Sequence, residues 1–413
     1  MTDLLTTRAE RKARGGVLSA QLVASLGLAT GAAAGGLLAE HVVGGPSAAG
    51  APLGALVLGA GAAALPLSRI MAARGRVLGL RIGYLVAAVG AAVVLLAAVS
   101  LSLPLLVAGN FLVGAGNSSV MLSRYVLADM AGPHGRARAM GTSMLAVAAG
   151  AVLGPALLGP SAALSSVLGL PDAAGLYVLA LLAFLAAPGL LTAFPDGVSQ
   201  AGVRHVRETL SENVRDRRRL VSSSAVYGAL VLGAANLTMA SMMVVVPVHL
   251  HHSGSGLHGV GMVVSIHVAA MFVASPLIGR LVDRFGSRPV AVTGGVVLVL
   301  VGLLPSLVSV HSLATASGLL ILLGLGWSTQ VIAGSAMLTN GLPLGSRATG
   351  EAAGEIAMSA GAALGCLVLA GPLSALGGLA LLAAAAVPLN LALVLALSLR
   401  RLHGVRAVPV GAV

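Results

Sequence analysis

Repeated apolar stretches, each long enough to cross a lipid bilayer, constrain this 413-residue chain more than any other feature. A helix needs about 20 apolar residues to span the hydrocarbon core of a membrane. In lipid, backbone N–H and C=O groups have to be paired within the segment itself, and an α-helix achieves this. The sequence therefore predicts an all-α membrane protein whose function lies along a path through the bilayer.

Twelve stretches of this kind follow one another along the chain, and each predicts one transmembrane helix. Their approximate bounds are 15–39, 51–73, 78–101, 104–128, 140–160, 172–194, 222–248, 258–280, 289–309, 311–337, 349–371 and 377–399. The longest polar segment separates the first six spans from the last six. We therefore expect a six-helix bundle over residues 1–194, a cytoplasmic linker over 195–221 and a second six-helix bundle over 222–413.

The basic residues are concentrated in alternate connections between the spans. The chain has 24 Lys and Arg residues against 12 acidic residues, and the connections at 40–51, 161–171 and 249–256 contain no Lys or Arg. Connections rich in Lys and Arg stay on the cytoplasmic side of a membrane. This pattern predicts a protein of the cytoplasmic membrane with both termini in the cytoplasm and the lipid bilayer as its surroundings.

Composition also excludes several classes of function. Aromatic residues make up 2% of the chain, so it lacks the stacking platforms that proteins use to bind nucleic acid. The single cysteine, Cys366, excludes a disulfide framework and a multi-cysteine metal site. No phosphate-binding loop, HExxH motif or Ser–His–Asp grouping is visible. We expect no enzymatic activity, no cofactor and no nucleic-acid partner, and we expect a monomer that depends on ion or solute gradients for energy.

A motif between the eighth and ninth spans indicates a moving gate. Its residues are Gly279, Asp283, Arg284, Gly286 and Arg288, within the sequence GRLVDRFGSR. Glycine permits a tight turn, and a carboxylate such as that of Asp283 can accept hydrogen bonds from a helix N-terminus or pair with an arginine. The motif resembles the G-x-L-x-D-R-x-G-R-R loop of the major facilitator superfamily. The resemblance implies two six-helix bundles that rock around a midplane site, with this loop as a cytoplasmic latch.

The equivalent connection of the first half departs from this pattern. It keeps the turn glycine, Gly75, and basic residues on either side, but Ala72 stands where the second half has Asp283. A second latch of the same kind is therefore not expected.

Four side chains in the seventh and eighth spans form a candidate metal site. Met239 and Met243 are four residues apart and share a helix face, as do His267 and Met271. Thioether sulfur selects Cu(I), and imidazole also binds copper. An ionisable histidine deep in a span is costly, which is itself a reason to expect a functional site. If the two faces meet, the four side chains would bind copper as a transported substrate.

The order and spacing of these residues resemble the M-x-x-x-M and H-x-x-x-M motifs of the CcoA-type copper importers within the same superfamily. The resemblance implies inward copper transport with Met239, Met243, His267 and Met271 as ligands. Methionine pairs at helical spacing are also typical of ordinary packing. A metal site and a packed core therefore both remain open interpretations.

Charged residues within or at the ends of spans suggest coupling or gating. A carboxyl group removed from water takes up a proton more readily, so Glu355 in the eleventh span is a candidate proton carrier. In the other interpretation, Glu355 pairs with Arg347 or with the loop that contains Asp283. Near the end of the fourth span, Arg124 and Asp129 are expected to anchor gating contacts.

Two other functions remain open from the sequence. A proton-coupled efflux antiporter for hydrophobic organic compounds is favoured by Gly141, Gly150, Gly154 and Pro155, which are similar to a glycine-proline motif that the superfamily associates with antiporters. The scarcity of aromatic residues counts against this function. The alternative from another class is a membrane sensor or scaffold that transports nothing.

Overall fold

The computed structural model describes most of the chain. The described residues are 2–43, 50–131, 135–171, 173–191, 223–252, 257–308, 310, 312–342, 346–365 and 387–399. The predicted linker at 195–221 lies outside these ranges. Every regular element within them is a helix, which confirms the predicted all-α class for this part of the chain.

The described residues form fourteen α-helices, of which the first seven lie before the predicted linker. Their bounds are α1 (Thr2–Val43), α2 (Ala51–Arg74), α3 (Arg76–Ser100), α4 (Leu103–Met130), α5 (Arg136–Ala156), α6 (Leu158–Leu168), α7 (Ala174–Leu190), α8 (Ser223–His252), α9 (Leu257–Val273), α10 (Ser275–Phe285), α11 (Ser287–Leu307), α12 (Leu313–Asn340), α13 (Arg347–Leu364) and α14 (Val387–Leu399).

Most helices lie within the predicted spans. The connection predicted at 161–171 is largely helical instead, because α6 runs from Leu158 to Leu168, and α13 in the predicted eleventh span is not among the helices apolar enough to count as a candidate span. Within the described ranges, nine helical segments are long and apolar enough to cross a membrane, and α7 and α14 are shorter apolar helices in the predicted sixth and twelfth spans. The predicted eighth span is divided into α9 and α10 at Ala274. Pro276 lies in the first turn of α10, where its missing N–H is tolerated, and this explains why a new helix begins there.

Two single-residue turns of the same geometry connect α2 to α3 and α10 to α11. Gly75 has φ 102° and ψ 148°, and Gly286 has φ 88° and ψ 158°. This region is open to glycine and strained for residues with a Cβ atom. The turn glycines predicted at both positions are therefore required by the backbone.

Several helix pairs approach so closely that only glycine fits between them. A Cβ atom added to Gly90 of α3 would lie 2.6 Å from the carbonyl oxygen of Gly109 in α4. In the second half, a Cβ atom on Gly365 would lie 2.5 Å from the carbonyl oxygen of Leu237 in α8. Contact through small residues is the usual way in which helices pack within lipid, where burial from water does not drive association.

Among the described residues, connections that carry arginines lie together at one end of the molecule. Arg76 at the start of α3 contacts Asp129 of α4 and Glu351 of α13. Asp283 of α10 accepts hydrogen bonds from the first turn of α5, which begins at Arg136. We call this end of the molecule the Arg-rich end.

The two halves of the chain also pack tightly against each other near the Arg-rich end. A Cβ atom on Gly141 of α5 would clash with the carbonyl group of Ser275 at the start of α10. A Cβ atom on Gly279 of α10 would lie 2.7 Å from the Cα atom of Arg138 in α5. Helices α5 and α10 are thus in backbone contact over more than one turn.

Candidate functional site

A buried ion pair joins the two halves of the chain. Arg124 of α4 is fully buried, and its Nη2 donates a hydrogen bond of 2.6 Å to Oε1 of Glu355 in α13. The interpretation that paired Glu355 with Arg347 or with the loop of Asp283 is wrong. Arg347 lies eight residues before Glu355, about 12 Å along the helix, and its Nε donates to the carbonyl oxygen of Leu342 instead.

The remaining donors of Arg124 are also used. Nε donates to Oγ of Ser335 at 3.1 Å, Nη1 donates to the carbonyl oxygen of Met121 at 2.8 Å, and Nη2 lies 3.1 Å from the hydroxyl group of Tyr125. A buried charge is tolerated only when it is paired and hydrogen-bonded. The network satisfies this condition and connects α4 to both α12 and α13.

A second ion pair lies one turn closer to the Arg-rich end. Both Nη atoms of Arg76 donate to the carboxylate of Glu351, and Nη2 also donates to Oδ2 of Asp129 at 2.8 Å. Glu351 and Glu355 are successive acidic residues on one face of α13, so arginines from α3 and α4 hold this helix at two levels. The first half of the chain is therefore attached to α13 by charge as well as by packing.

The predicted latch residue Asp283 lies against the first turn of α5. Its Oδ1 accepts a hydrogen bond of 3.1 Å from the backbone N–H of Ala137, and its Oδ2 accepts one of 3.0 Å from the backbone N–H of Arg138. The first N–H groups of a helix have no partner within the helix, and a carboxylate there also interacts favourably with the helix dipole. Of the two roles that the sequence allowed for Asp283, the structure has the one at a helix N-terminus.

The other residues of the latch motif have distinct positions. Gly279 lies directly against α5, and Gly286 forms the turn after α10. The guanidinium of Arg284 lies 5.2 Å from the ring centre of its own neighbour, Phe285. Arg288 donates to the carbonyl oxygens of Leu397 and Ser398, and it thereby joins the start of α11 to the last turn of α14. These two arginines make their described contacts within the second half of the chain.

His267 is held in one orientation with one ring nitrogen unused. The residue is 1% exposed, and its Nδ1 lies 2.8 Å from the carbonyl oxygen of Leu320 in α12. A carbonyl group can only accept, so Nδ1 carries a proton, and in the neutral form of the ring Nε2 has a free lone pair. The buried Nε2 has no hydrogen-bond partner among the described residues.

The three methionines of the predicted site all belong to the main hydrophobic core, which extends through both halves of the chain. Met271 is one turn from His267 on α9 and is buried, whereas Met239 and Met243 of α8 are partly buried. Within the part of the chain that the structure describes, no three side chains of His, Cys, Asp or Glu gather into a possible metal site.

A hydrogen-bonded link around Trp327 was not foreseen from the sequence. Its Nε1 donates to Oδ1 of Asn236 at 2.6 Å, and Nδ2 of Asn236 donates to the carbonyl oxygen of Met358 at 3.1 Å. The ring of Trp327 also packs edge to face against Phe272, with ring centres 5.8 Å apart. The sulfur of Met358 in turn lies 3.8 Å from Nη2 of Arg124. The link therefore connects the helix of His267 to the buried ion pair.

The glycines of the fifth span serve as packing positions. A Cβ atom on Gly150 would lie 2.5 Å from the backbone N of Leu26, and one on Gly154 would lie 3.0 Å from Thr30, both in α1. The helix ends at Ala156, immediately after Pro155, and α6 begins at Leu158. Close packing against α1 therefore explains why these positions of the glycine-proline motif hold glycine.

Comparison with known proteins adds a family match. The family model described as Major Facilitator Superfamily matches residues 17–258 and 229–411. The uncharacterized MFS-type transporter YddS of Bacillus subtilis (strain 168) is 31% identical over 365 residues, which cover 86% of this chain and 84% of that protein. The riboflavin transporter RfnT of Brucella anthropi is 25% identical over 312 residues, 74% of this chain and 75% of that protein. The crystal structure of the human organic anion transporter MFSD10 has a TM-score of 0.74 at 18% identity, and covers 94% of this chain and 99% of that chain.

Proposed function

The chain belongs to the major facilitator superfamily, and we propose that it imports copper across the cytoplasmic membrane by alternating access. It is a multi-pass membrane protein with the fold of this family, and transport is the function of its relatives. The cargo, the direction and the coupling are the proposal. The unused Nε2 of His267 is the observation that carries it.

The Arg-rich end is the cytoplasmic end in this proposal. The excess of arginine in its connections supports that orientation, because Lys and Arg favour the cytoplasmic side. Two bundles at 1–194 and 222–413, joined by a linker at 195–221, would then rock against each other. The ion pairs of α13 and the hydrogen bonds of Asp283 close this end.

His267 has the features of a metal ligand. A ligating histidine usually donates its other ring N–H to a carbonyl or carboxylate group, which fixes the ring and leaves one nitrogen for the metal. The hydrogen bond from Nδ1 to Leu320 has this form, and Met271 supplies a soft sulfur one turn away. Met239 and Met243 of α8 complete the proposed set on the resemblance to the M-x-x-x-M and H-x-x-x-M motifs.

Glu355 would couple transport to protons through Arg124. Protonation removes the negative charge from Glu355, and the ion pair that joins the two halves is then lost. The arginine would be released at the moment when the cytoplasmic end has to open. A proton on Glu355 would thus favour the inward-open state.

Uptake of radioactive copper by cells that express the protein tests the cargo. We expect Met271→Leu, Met239→Leu and His267→Asn to lower uptake about tenfold or more, because each removes one ligand atom. Leu is close to Met in volume, so packing survives the substitution. Met262→Leu is the matched control, since Met262 is on the same helix but 48% exposed. Equal uptake by wild type, His267→Asn and Met271→Leu would end the copper proposal and leave the transporter fold untouched.

An organic solute is the second candidate cargo. It is favoured by the riboflavin transporter RfnT among the relatives. Uptake of labelled riboflavin in the same cells separates the two cargoes, since a riboflavin carrier would retain uptake in Met271→Leu. Efflux of hydrophobic compounds stays a prediction that drug tolerance of the cells would test. Flux through reconstituted vesicles separates all of these from a sensor or scaffold.

A further inference from the structure

Three arginines and two carboxylates lie near one another at the Arg-rich end. Arg76, Arg136 and Arg347 are each the first residue of a helix, in α3, α5 and α13. Arg76 takes both oxygens of Glu351 and one oxygen of Asp129. Arg136 has only a distant contact, with 3.8 Å between its Nη2 and Oδ1 of Asp129. Arg76 thus occupies most of the acceptor oxygens of the two acids. The three arginines and two acids together keep a net positive charge.

Two of these arginines have buried N–H groups that nothing described accepts. Nη1 of Arg347 and Nε of Arg136 are both buried without a hydrogen-bond partner among the described residues. Arg347 is close enough to Arg136 and Arg76 to be repelled by their charges, and it is also attracted by Asp129 and Glu351. A buried charged donor without an acceptor is costly, so these atoms are suited to an anion that supplies several acceptors.

The N-termini of α5 and α13 differ in the groups that cap them, and the difference also indicates an anion site at the start of α13. Asp283 satisfies the N-terminus of α5, but Ser346 provides no side-chain cap at the N-terminus of α13. The acid that would serve α13 by symmetry is replaced by Ala72. The start of α13 therefore carries the positive end of a helix dipole next to Arg347, with no carboxylate of its own there.

We propose that Arg347, Arg136 and the first turn of α13 bind an oxyanion of the phosphate type. Such a group offers several acceptor oxygens, and the planar guanidinium matches it better than a point charge does. The anion would stand in for the missing acid at position 72 and hold α13 against the first half. Its source is either free phosphate or the phosphate group of an anionic lipid next to this end. The proposal does not depend on the cargo.

Thermal unfolding of the full-length protein tests this site. In detergent, sodium phosphate is compared with sodium chloride at equal ionic strength, and nanodiscs of phosphatidylcholine are compared with and without phosphatidylglycerol. We expect the anion to raise the unfolding temperature of the wild type by about 2 °C or more, and Arg347→Gln to lose most of that rise. Arg280→Gln, which changes an exposed arginine on α10, should respond like the wild type. A rise with free phosphate in detergent identifies the free anion, and a rise only with phosphatidylglycerol identifies the lipid.

If Arg347→Gln does not fold, the variant Ala72→Asp tests the anion site instead. Ala72→Asp supplies a carboxylate at the position equivalent to Asp283, and it should abolish the response to phosphate and to anionic lipid alike. Equal responses of wild type and Arg347→Gln, an unchanged response in Ala72→Asp, or no response of the wild type in either setting would each overturn the proposal.

Discussion

Arg124 donates a hydrogen bond of 2.6 Å to Glu355, and the two residues are buried together although they come from opposite halves of the chain. Such a pair gains little over an apolar contact while it is intact, but the loss of one partner leaves an uncompensated charge. The ion pair therefore restricts movement between the two halves. They can separate here only when one of the two charges is neutralised or solvated.

Replacement of one residue of the Arg124–Glu355 pair should lower the stability against unfolding more than replacement of both. We expect Glu355→Gln to lower stability by about 3 kcal/mol or more, because Arg124 remains buried without a counter-charge. The double variant Arg124→Gln/Glu355→Gln should be more stable than the single variant. Thermal unfolding in detergent measures both, with Glu40→Gln at an exposed position as the control. A double variant as unstable as the sum of two singles would show that the residues act independently.

The same pair predicts that the opening of the Arg-rich end depends on pH. Acidification protonates Glu355, removes its charge and releases Arg124, so the open state should become more populated as the pH falls. Spin labels at the exposed positions 69 and 280, in a Cys366→Ser background, would report the distance between the two halves. Glu355→Gln should give one distance distribution at every pH. If wild type and variant respond equally to pH, Glu355 is not the titrating group.

The sequence predicted the features of this fold that depend on local pattern. Apolar length gave the helices, and the turn glycines Gly75 and Gly286 have the positive φ that their positions suggested. Carboxylate chemistry suggested that Asp283 could serve a helix N-terminus, although its partners Ala137 and Arg138 are 146 and 145 positions away in the chain.

The long-range partners could not be read from the sequence. One interpretation paired Glu355 with Arg347 or with the loop of Asp283, whereas its partner Arg124 is 231 positions away in the chain. The bond from Trp327 to Asn236 also depends on how α8 and α12 pack, although a lone Trp in a span is a signal that its N–H needs an acceptor. Side-chain pairs between helices are decided by tertiary packing, which helical periodicity alone does not specify.

The carboxylate of Asp283 should be needed to keep the Arg-rich end closed. Asp283→Ala removes the acceptors of two backbone N–H groups at the start of α5, which we expect to cost the closed state about 1–3 kcal/mol. Labelling of single cysteines near Ala137 should become faster as that end opens. Arg280→Ala on the same helix should label like the wild type. Unchanged labelling in Asp283→Ala would show that packing alone closes this end.

Close packing of α10 against α5 gives a steric test of the same closure. A Cβ atom on Gly279 would lie 2.7 Å from the Cα atom of Arg138, and the backbone there cannot move aside as a flexible side chain could. We expect Gly279→Ala to destabilise the closed state by about 1–3 kcal/mol. Gly318→Ala on α12 has no neighbouring atom within 4 Å and serves as the matched control. Equal unfolding temperatures of the two variants would contradict the tight contact.

The hydrogen bond from Trp327 to Asn236 should support the candidate site rather than the fold alone. Trp327→Phe keeps an aromatic ring against Phe272 but removes the donor, so Oδ1 of the partly buried Asn236 loses its partner. We expect a loss of about 1–2 kcal/mol in unfolding stability. Asn236 also holds the backbone of Met358, next to Arg124, so transport should fall further than this loss of stability explains. Phe111→Leu, which alters an exposed aromatic ring elsewhere, provides the comparison for stability. Transport by Trp327→Phe that equals that of the wild type at similar expression would mean that this link only holds the helices together.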